Sequence, residues 1–223
     1  MNTFSPQQML SFDLETTSPN PFEARIVTSA LVRISGREVS SQEMLADPGV
    51  EIPEGAQQVH GISTEYAREH GRPHDEVLDE TIAAIEKGWA DGLTLIVFNA
   101  PYDLTVLGQL RPGFAVTGPV FDPFVIDKAK DPYRKGKRTL SDLCALYDVK
   151  LDNAHEATSD ALAAARIAWK QARQWPDLVQ KPLDELMEFQ AVSYYKSQQS
   201  FKRYLEGKGS DSGQVNVSWP MQS

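Results

Sequence analysis

Cysteine is almost missing: Cys144 is the only one in 223 residues. A disulfide within the chain is therefore excluded, and a cysteine-built zinc site lacks its ligands. No apolar run approaches the length of a membrane span. The first residues lack the basic-then-apolar order of a signal segment. A cytoplasmic protein with no membrane partner is the expectation. Positive charge is in deficit, with 22 Lys and Arg against 31 Asp and Glu and a formal net charge of −9. Such a chain does not grip nucleic acid over its whole surface. A local basic groove, or an acidic site neutralised by metal ions, stays open. The remainder, 41% hydrophobic and 24% charged, is ordinary for a globular protein. The length suits one domain with an appendage.

Periodicity and turn signals predict strands at 9–14, 26–34 and 38–45, the last polar and at an edge. A loop over 47–55 leads to a short helix capped by Ser63. Apolar residues at helical spacing predict a helix over 73–89, followed by a buried strand at 93–98. Asn99 then reads as the N-cap of a helix with Pro101 in its first turn. A fifth strand is expected at 120–126, a basic loop at 128–138, and a helix at 139–147. After a connector at 151–154 come an alanine-rich helix over 156–174 and an amphipathic one over 182–205. Val215, Val217 and Trp219 alternate in a tail expected to add an edge strand or hook across a neighbour. Three hairpin-like strands followed by alternating helices and strands imply an α/β fold with a mixed five-stranded sheet flanked by helices, plus a C-terminal helical extension. The expected division is a catalytic-type domain over 1–176 and a C-terminal helix and tail over 177–223, packing on that domain or on a partner.

The chemistry concentrates in acids at predicted strand and helix ends. Asp13 and Glu15, two apart on a strand, project to one face. Alone, such a pair is most often a solvated strand end. Asp103, one turn into the helix after the fourth strand, and Asp160, near the start of the alanine-rich helix, would join it, because ligands in such sheets sit at strand C-terminal ends. If both were helical, His155 and Asp160 would lie about 140° apart, so His155 belongs to the helix entrance, reaching over the site. All-oxygen ligands select hard cations, Mg²⁺ or Mn²⁺. Several carboxylates with few neutralising bases suit two ions and in-line phosphoryl displacement.

The segments Phe12-Asp13-Leu14-Glu15-Thr16-Thr17, Asn99-Ala100-Pro101-Tyr102-Asp103 and His155-Glu156-Ala157-Thr158-Ser159-Asp160-Ala161 resemble the three exonuclease motifs of the DEDDh family. The similarity is to its DNA polymerase III epsilon-subunit-like (DnaQ-like) branch. Val59-His60-Gly61-Ile62 resembles a further segment of that branch. The resemblance runs from about Met9 to Ala168. It implies a ribonuclease-H-like fold and 3′→5′ hydrolysis of the terminal phosphodiester of DNA, single-stranded or frayed, with release of nucleoside 5′-monophosphates. It implies Asp13, Glu15, Asp103 and Asp160 as ligands of two Mg²⁺ or Mn²⁺ ions, with His155 as general base. Thr16, Thr17, His60 and Asn99 are expected at the substrate. Ser18 stands where the branch often has Gly, and Phe98 where it often has His; neither position supplies an expected metal ligand.

Other readings remain. His60 could be structural, and Asn99 has a sufficient role as a cap. The basic run is ordinarily a solvated loop, yet beside a phosphodiester site Lys135, Lys137 and Arg138 are expected to contact phosphates. A ribonuclease of the same fold trimming RNA 3′ ends, or a non-catalytic replication accessory protein, would share most of these features. Mutually repelling carboxylates favour the enzyme. A homodimer or a replication-protein partner through the C-terminal segment is a further expectation.

Overall fold

Alternation along the first strand sets both layers of the molecule. In β1 (Gln8–Thr16), Leu10, Phe12 and Leu14 point into one core, while Met9 points into the other. The computed structural model describes residues 2–151 and 154–222. β1, β2 (Ile26–Ser35) and β3 (Glu38–Asp47) form an antiparallel meander. Then follow α1 (Glu54–His60), α2 (Thr64–His70), β4 (Arg72–Pro73) and α3 (His74–Ala90). β5 (Thr94–Ile96), α4 (Ala100–Leu110), β6 (Val120–Phe121) and α5 (Pro123–Lys130) come next. The chain continues with α6 (Leu140–Tyr147), α7 (Ala157–Gln174), α8 (Asp177–Gln180) and α9 (Leu183–Gly207).

The sheet has six strands, in the order β4-β3-β2-β1-β5-β6, rather than five. The addition is β4, two residues that pair in parallel with Ala46 and Asp47 and cover the end of the edge strand β3. β5 and β6 run parallel to β1, so β1 is the centre at which topology switches. On the Leu10/Phe12/Leu14 face α3 supplies Val77, Leu78, Ile82 and Ile85. On the other, Ala164, Ala165 and Ala168 of α7 lie against Met9, Ile96 and Phe121. Small residues let this helix approach closely: the Ser11 hydroxyl donates to the Ala161 carbonyl at 2.6 Å. Asp152 and Asn153 of the expected connector lie outside the described residues. No helix among the described residues is long and apolar enough to cross a membrane.

Two expectations are corrected after β5. The strand expected at 120–126 stops at Phe121, and the supposed start of the basic loop is helix α5, through Lys130. Asp122-Pro123 is itself a helix-start pair, obscured by the apolar run around it. Asn99 occupies the cap position of α4 in a left-handed conformation, but its side chain makes no capping bond. The fully buried Asp122 caps instead. It accepts the Asn99 and Ala100 N–H groups at 3.0 and 2.9 Å, and those of Phe124 and Val125 at 3.0 and 3.3 Å. The Trp219 indole N–H donates to it as well, at 3.3 Å. One carboxylate thus closes the N-termini of α4 and α5 and pins the tail. Asp122→Ala is expected to lower unfolding free energy by about 3–5 kcal/mol, summing two lost caps and the buried donors left unpaired. Urea titration measures this, and a loss below about 1 kcal/mol would contradict it.

The C-terminal segment meets the body over part of its length. Leu186, Gln190 and Tyr194 of α9 are buried, and Gln190 bonds both ways with β6, accepting Asp122 N–H and donating to the Val120 carbonyl. Beyond Tyr194 the expected stripe leaves the body, and Phe201 is exposed. The tail forms no strand among the described residues. Trp219 and Met221 pack on the main core, and Gln222 N–H donates to the Thr105 hydroxyl at 2.8 Å.

Candidate active site

β1 outruns its parallel partner, and the gap is the site. Pairing with β5 ends at Ser11–Ile96, so the β5 side of β1 is open beyond it. The freed Leu14 N–H donates to the buried Asp103 carboxylate at 3.2 Å. On the β2 side the ladder continues to Thr16, with a register shift between Glu15 and Thr16, a device that re-aims side chains at strand ends. Ser11, Asp13 and Glu15 share the α7 face by alternation. The close seat of α7 at Ala161 brings its neighbour Asp160 over them.

His155 lies just ahead of α7 rather than in it, with a φ of 66°. Its backbone N–H donates to Asp160 Oδ2 at 3.3 Å, and its side chain is exposed. Ligand atoms of Glu15, His155 and Asp160 all lie within 4.8 Å of one another. Asp160 Oδ1 is buried and has no hydrogen-bond partner among the described residues.

Electrostatics ties the four acids together. Burial, then the charges of Asp103, Glu15 and Asp160, hold the Asp13 carboxyl well above the usual range. Burial with Asp160 and Glu43 pushes Glu15 up to about 8. Asp103 is raised by burial against hydrogen bonds that favour its charge, and Asp160 by burial against the His155 N–H. The charges acting on all four are those of other carboxylates and of His155. Oxygen donors, one of them buried and unpartnered, with no Lys or Arg among the described residues that act on them, fit hard divalent cations.

Beside the acids opens a cavity of about 750 Å³, with Glu15, Thr16, Thr17, His60 and Tyr102 among its walls and Val59 and Pro53 as apolar ones. The expected substrate residues therefore separate. Thr16 Oγ1 and the Tyr102 hydroxyl share a hydrogen bond, and both reach the Ser18 carbonyl. Thr17 is buried and its hydroxyl accepts the Arg25 N–H at 3.0 Å, so it braces the loop. His60 Nδ1 accepts the Ile62 N–H at 3.2 Å, and burial holds its imidazole below the ordinary range. Asn99 is exposed.

The basic segment divides too. Arg138 is not free to contact phosphate. Its guanidinium pairs with the fully buried Asp127 and donates to the Asp131 and Arg134 carbonyls at 2.6 and 3.2 Å. Arg134 also pairs with Asp127, at 2.6 Å, so that acid organises the loop. Lys135 and Lys137 are exposed and, among the described residues, form no ion pair.

Two contributors escaped sequence reasoning. Tyr102 stands inside a recognised motif, but nothing in its spacing marks the cavity wall. Glu43, on the polar strand β3, accepts the Thr158 N–H at 3.2 Å and the Thr158 hydroxyl. It fastens the first turn of α7 and so positions Asp160. Glu43→Ala is expected to lower turnover about tenfold through misplacement, while Glu43→Gln, which retains an acceptor, keeps most of it. Steady-state rates of the two variants decide, and equal rates would remove this role.

A family model described as Exonuclease matches residues 10–168, more than half of the chain. Among curated proteins, the "DNA polymerase III PolC-type" of Oceanobacillus iheyensis is 26% identical over 184 residues, covering 79% of this chain and 12% of the relative. That of Caldanaerobacter subterraneus is 24% identical over 183 residues, covering 80% and 12%. The chain thus spans 12% of the length of these relatives. Among solved structures, E. coli ExoI in complex with single-stranded DNA matches with a TM-score of 0.61 at 18% identity, over 80% of this chain and 42% of that one. Exonuclease X in complex with 5′ overhanging duplex DNA matches with 0.61 at 14% identity, over 82% and 99%. These structures share the fold: a mixed sheet flanked by helices.

Proposed function

The chain belongs to the exonuclease family whose model spans residues 10–168, and from that premise we propose that it is a metal-dependent 3′→5′ exonuclease of DNA, of the DEDDh type. The observation that carries this reading is the convergence of Asp13, Glu15, Asp103 and Asp160 in one crevice, each with its proton affinity raised and His155 at the rim. In the proposed site Asp13, Glu15 and Asp160 would hold one divalent ion, and Asp13, with Asp103 through waters, would hold a second. When bound, two Mg²⁺ or Mn²⁺ ions supply Lewis acidity to a water and to the phosphodiester.

The chain's own groups do the rest. The 3′-terminal nucleotide enters the cavity beside Glu15, its sugar and base against Tyr102, Val59 and Pro53, with the His60 imidazole at the wall. His155 accepts the proton of the attacking water as the P–O3′ bond breaks, releasing a nucleoside 5′-monophosphate and a chain one nucleotide shorter. DNA is favoured because the related folds named above were solved as complexes with DNA. The deciding assay is degradation from labelled 3′ ends of matched DNA and RNA oligonucleotides, with Mg²⁺, Mn²⁺ or EDTA. Stepwise 5′-monophosphate release from DNA, abolished by EDTA, is expected. Loss from the 5′ end, EDTA-resistant cleavage or a preference for RNA would each overturn a named part of the reading.

A further inference from the structure

Away from the crevice, α5 and the basic segment after it face α9 across a groove of about 740 Å³. On the α9 side it is lined by Ser193, Lys196, Ser197, Ser200, Phe201 and Tyr204. These positions, at i, i+3, i+4, i+7, i+8 and i+11, form one stripe of the helix, about 17 Å long. It is distinct from the stripe of Leu186, Gln190 and Tyr194 that docks α9 on the body. Along it come first hydroxyls and a lysine and then two aromatic rings, with Phe201 47% and Tyr204 59% exposed. On the opposite side stand Lys128, Arg134 and Arg138.

Arg134 and Arg138 are balanced by Asp127 and Asp131. The uncompensated charge is that of Lys128 and Lys196, neither of which is in an ion pair among the described residues. Lys128 is only partly exposed and lies over the Phe124 ring, 5.0 Å from its centroid. A half-buried cation without an anion is costly, and an anionic ligand would relieve it. Phe124 in turn meets Phe98 edge-on at 5.8 Å.

We propose that this groove is a binding track for the single-stranded part of a nucleic-acid substrate, holding its phosphates on Lys128, Lys196 and the α9 serines and its bases on Phe201 and Tyr204. Unpaired positive charge in a chain of net charge −9, with aromatic surfaces set beside phosphate donors, is the pattern of single-strand binding. The track rests on the exonuclease reading for the substrate whose single-stranded part it would hold. Its α9 side, with both aromatic rings, lies beyond residues 10–168.

The test uses the full chain and the double variant Lys196→Glu/Tyr204→Ala, both surface positions, with thermal melting to confirm the fold. Fluorescence anisotropy in EDTA measures binding of end-labelled oligothymidylates of about 20 and about 4 nucleotides, a range that brackets single-strand site sizes. The longer oligonucleotide should bind about tenfold more weakly to the variant, with a shallower salt dependence, and the shorter one within about twofold of wild type. Turnover of the p-nitrophenyl ester of thymidine 5′-monophosphate should be unchanged. Unaltered binding of the longer oligonucleotide, as expected of a groove made for a protein segment, overturns the proposal, and so does equal weakening of both lengths. A wild-type chain that degrades no 3′ end would defeat the exonuclease reading instead, and the anisotropy comparison would still decide the track.

Discussion

Alanine in place of His155 will lower kcat by about 10²–10⁴-fold, the range for a lost general base, with KM little changed. The expectation follows from placement. His155 is held at the rim by its own backbone N–H on Asp160 and by a left-handed φ of 66°, which leaves the imidazole exposed and close to Glu15 and Asp160. Divalent-ion binding, read by thermal shift, should survive the substitution, because the carboxylates remain. Wild-type kcat in the variant would remove His155 from the mechanism. Loss of ion binding with the fold intact would instead make it a ligand, a role its proximity to Glu15 and Asp160 also permits.

The acids were legible in the sequence because alternation and helix ends are local facts. Asp13 and Glu15 share a face by period two, and Asp103 and Asp160 follow from helix starts. The position of His155 ahead of α7 could be read from the angular spacing to Asp160. What escaped were partners chosen by tertiary packing. Asp122 looked like a strand residue because Val120, Phe121, Val125 and Ile126 make one apolar run, yet burial there serves two helix ends and the tail. Arg138 looked like a phosphate contact because its charge was visible and its counter-ion, Asp127, eleven residues earlier, was not assigned to it. Glu43 and Thr158 are 115 residues apart, and no local pattern joins them. The α9 helix was read as one stripe, whereas it carries two, one docked and one lining a groove.

Asn in place of Asp13 will lower kcat by about 10³-fold and yet make the metal-free protein more stable at mildly alkaline pH. Both effects have one cause. In the metal-free chain, burial and mutual repulsion raise the proton affinity of Asp13, Asp103 and Asp160, and set Glu15 at about 8. An acid whose folded pKa lies above its unfolded one favours the folded state while protonated. That contribution is fully present below the unfolded value, near 4 for carboxylates, and is lost as pH rises through the folded values, up to about 8 for Glu15. Wild-type melting temperature without metal should therefore fall across this window, more gently in Asp13→Asn, which has one charge fewer to confine. Divalent ions stabilise only the folded chain and compete with those protons. The rise in melting temperature on adding Mg²⁺ or Mn²⁺ should thus be small near pH 5, grow toward pH 8, and be largely absent in Asp13→Asn. The drop in kcat reflects the loss of a shared ligand worth several kcal/mol of charge stabilisation in the transition state. Differential scanning fluorimetry over pH, with and without EDTA, and kcat in Mg²⁺ together test the assignment. Near-normal turnover in Asp13→Asn, or a metal-induced shift independent of pH, would show that Asp13 does not hold the ions.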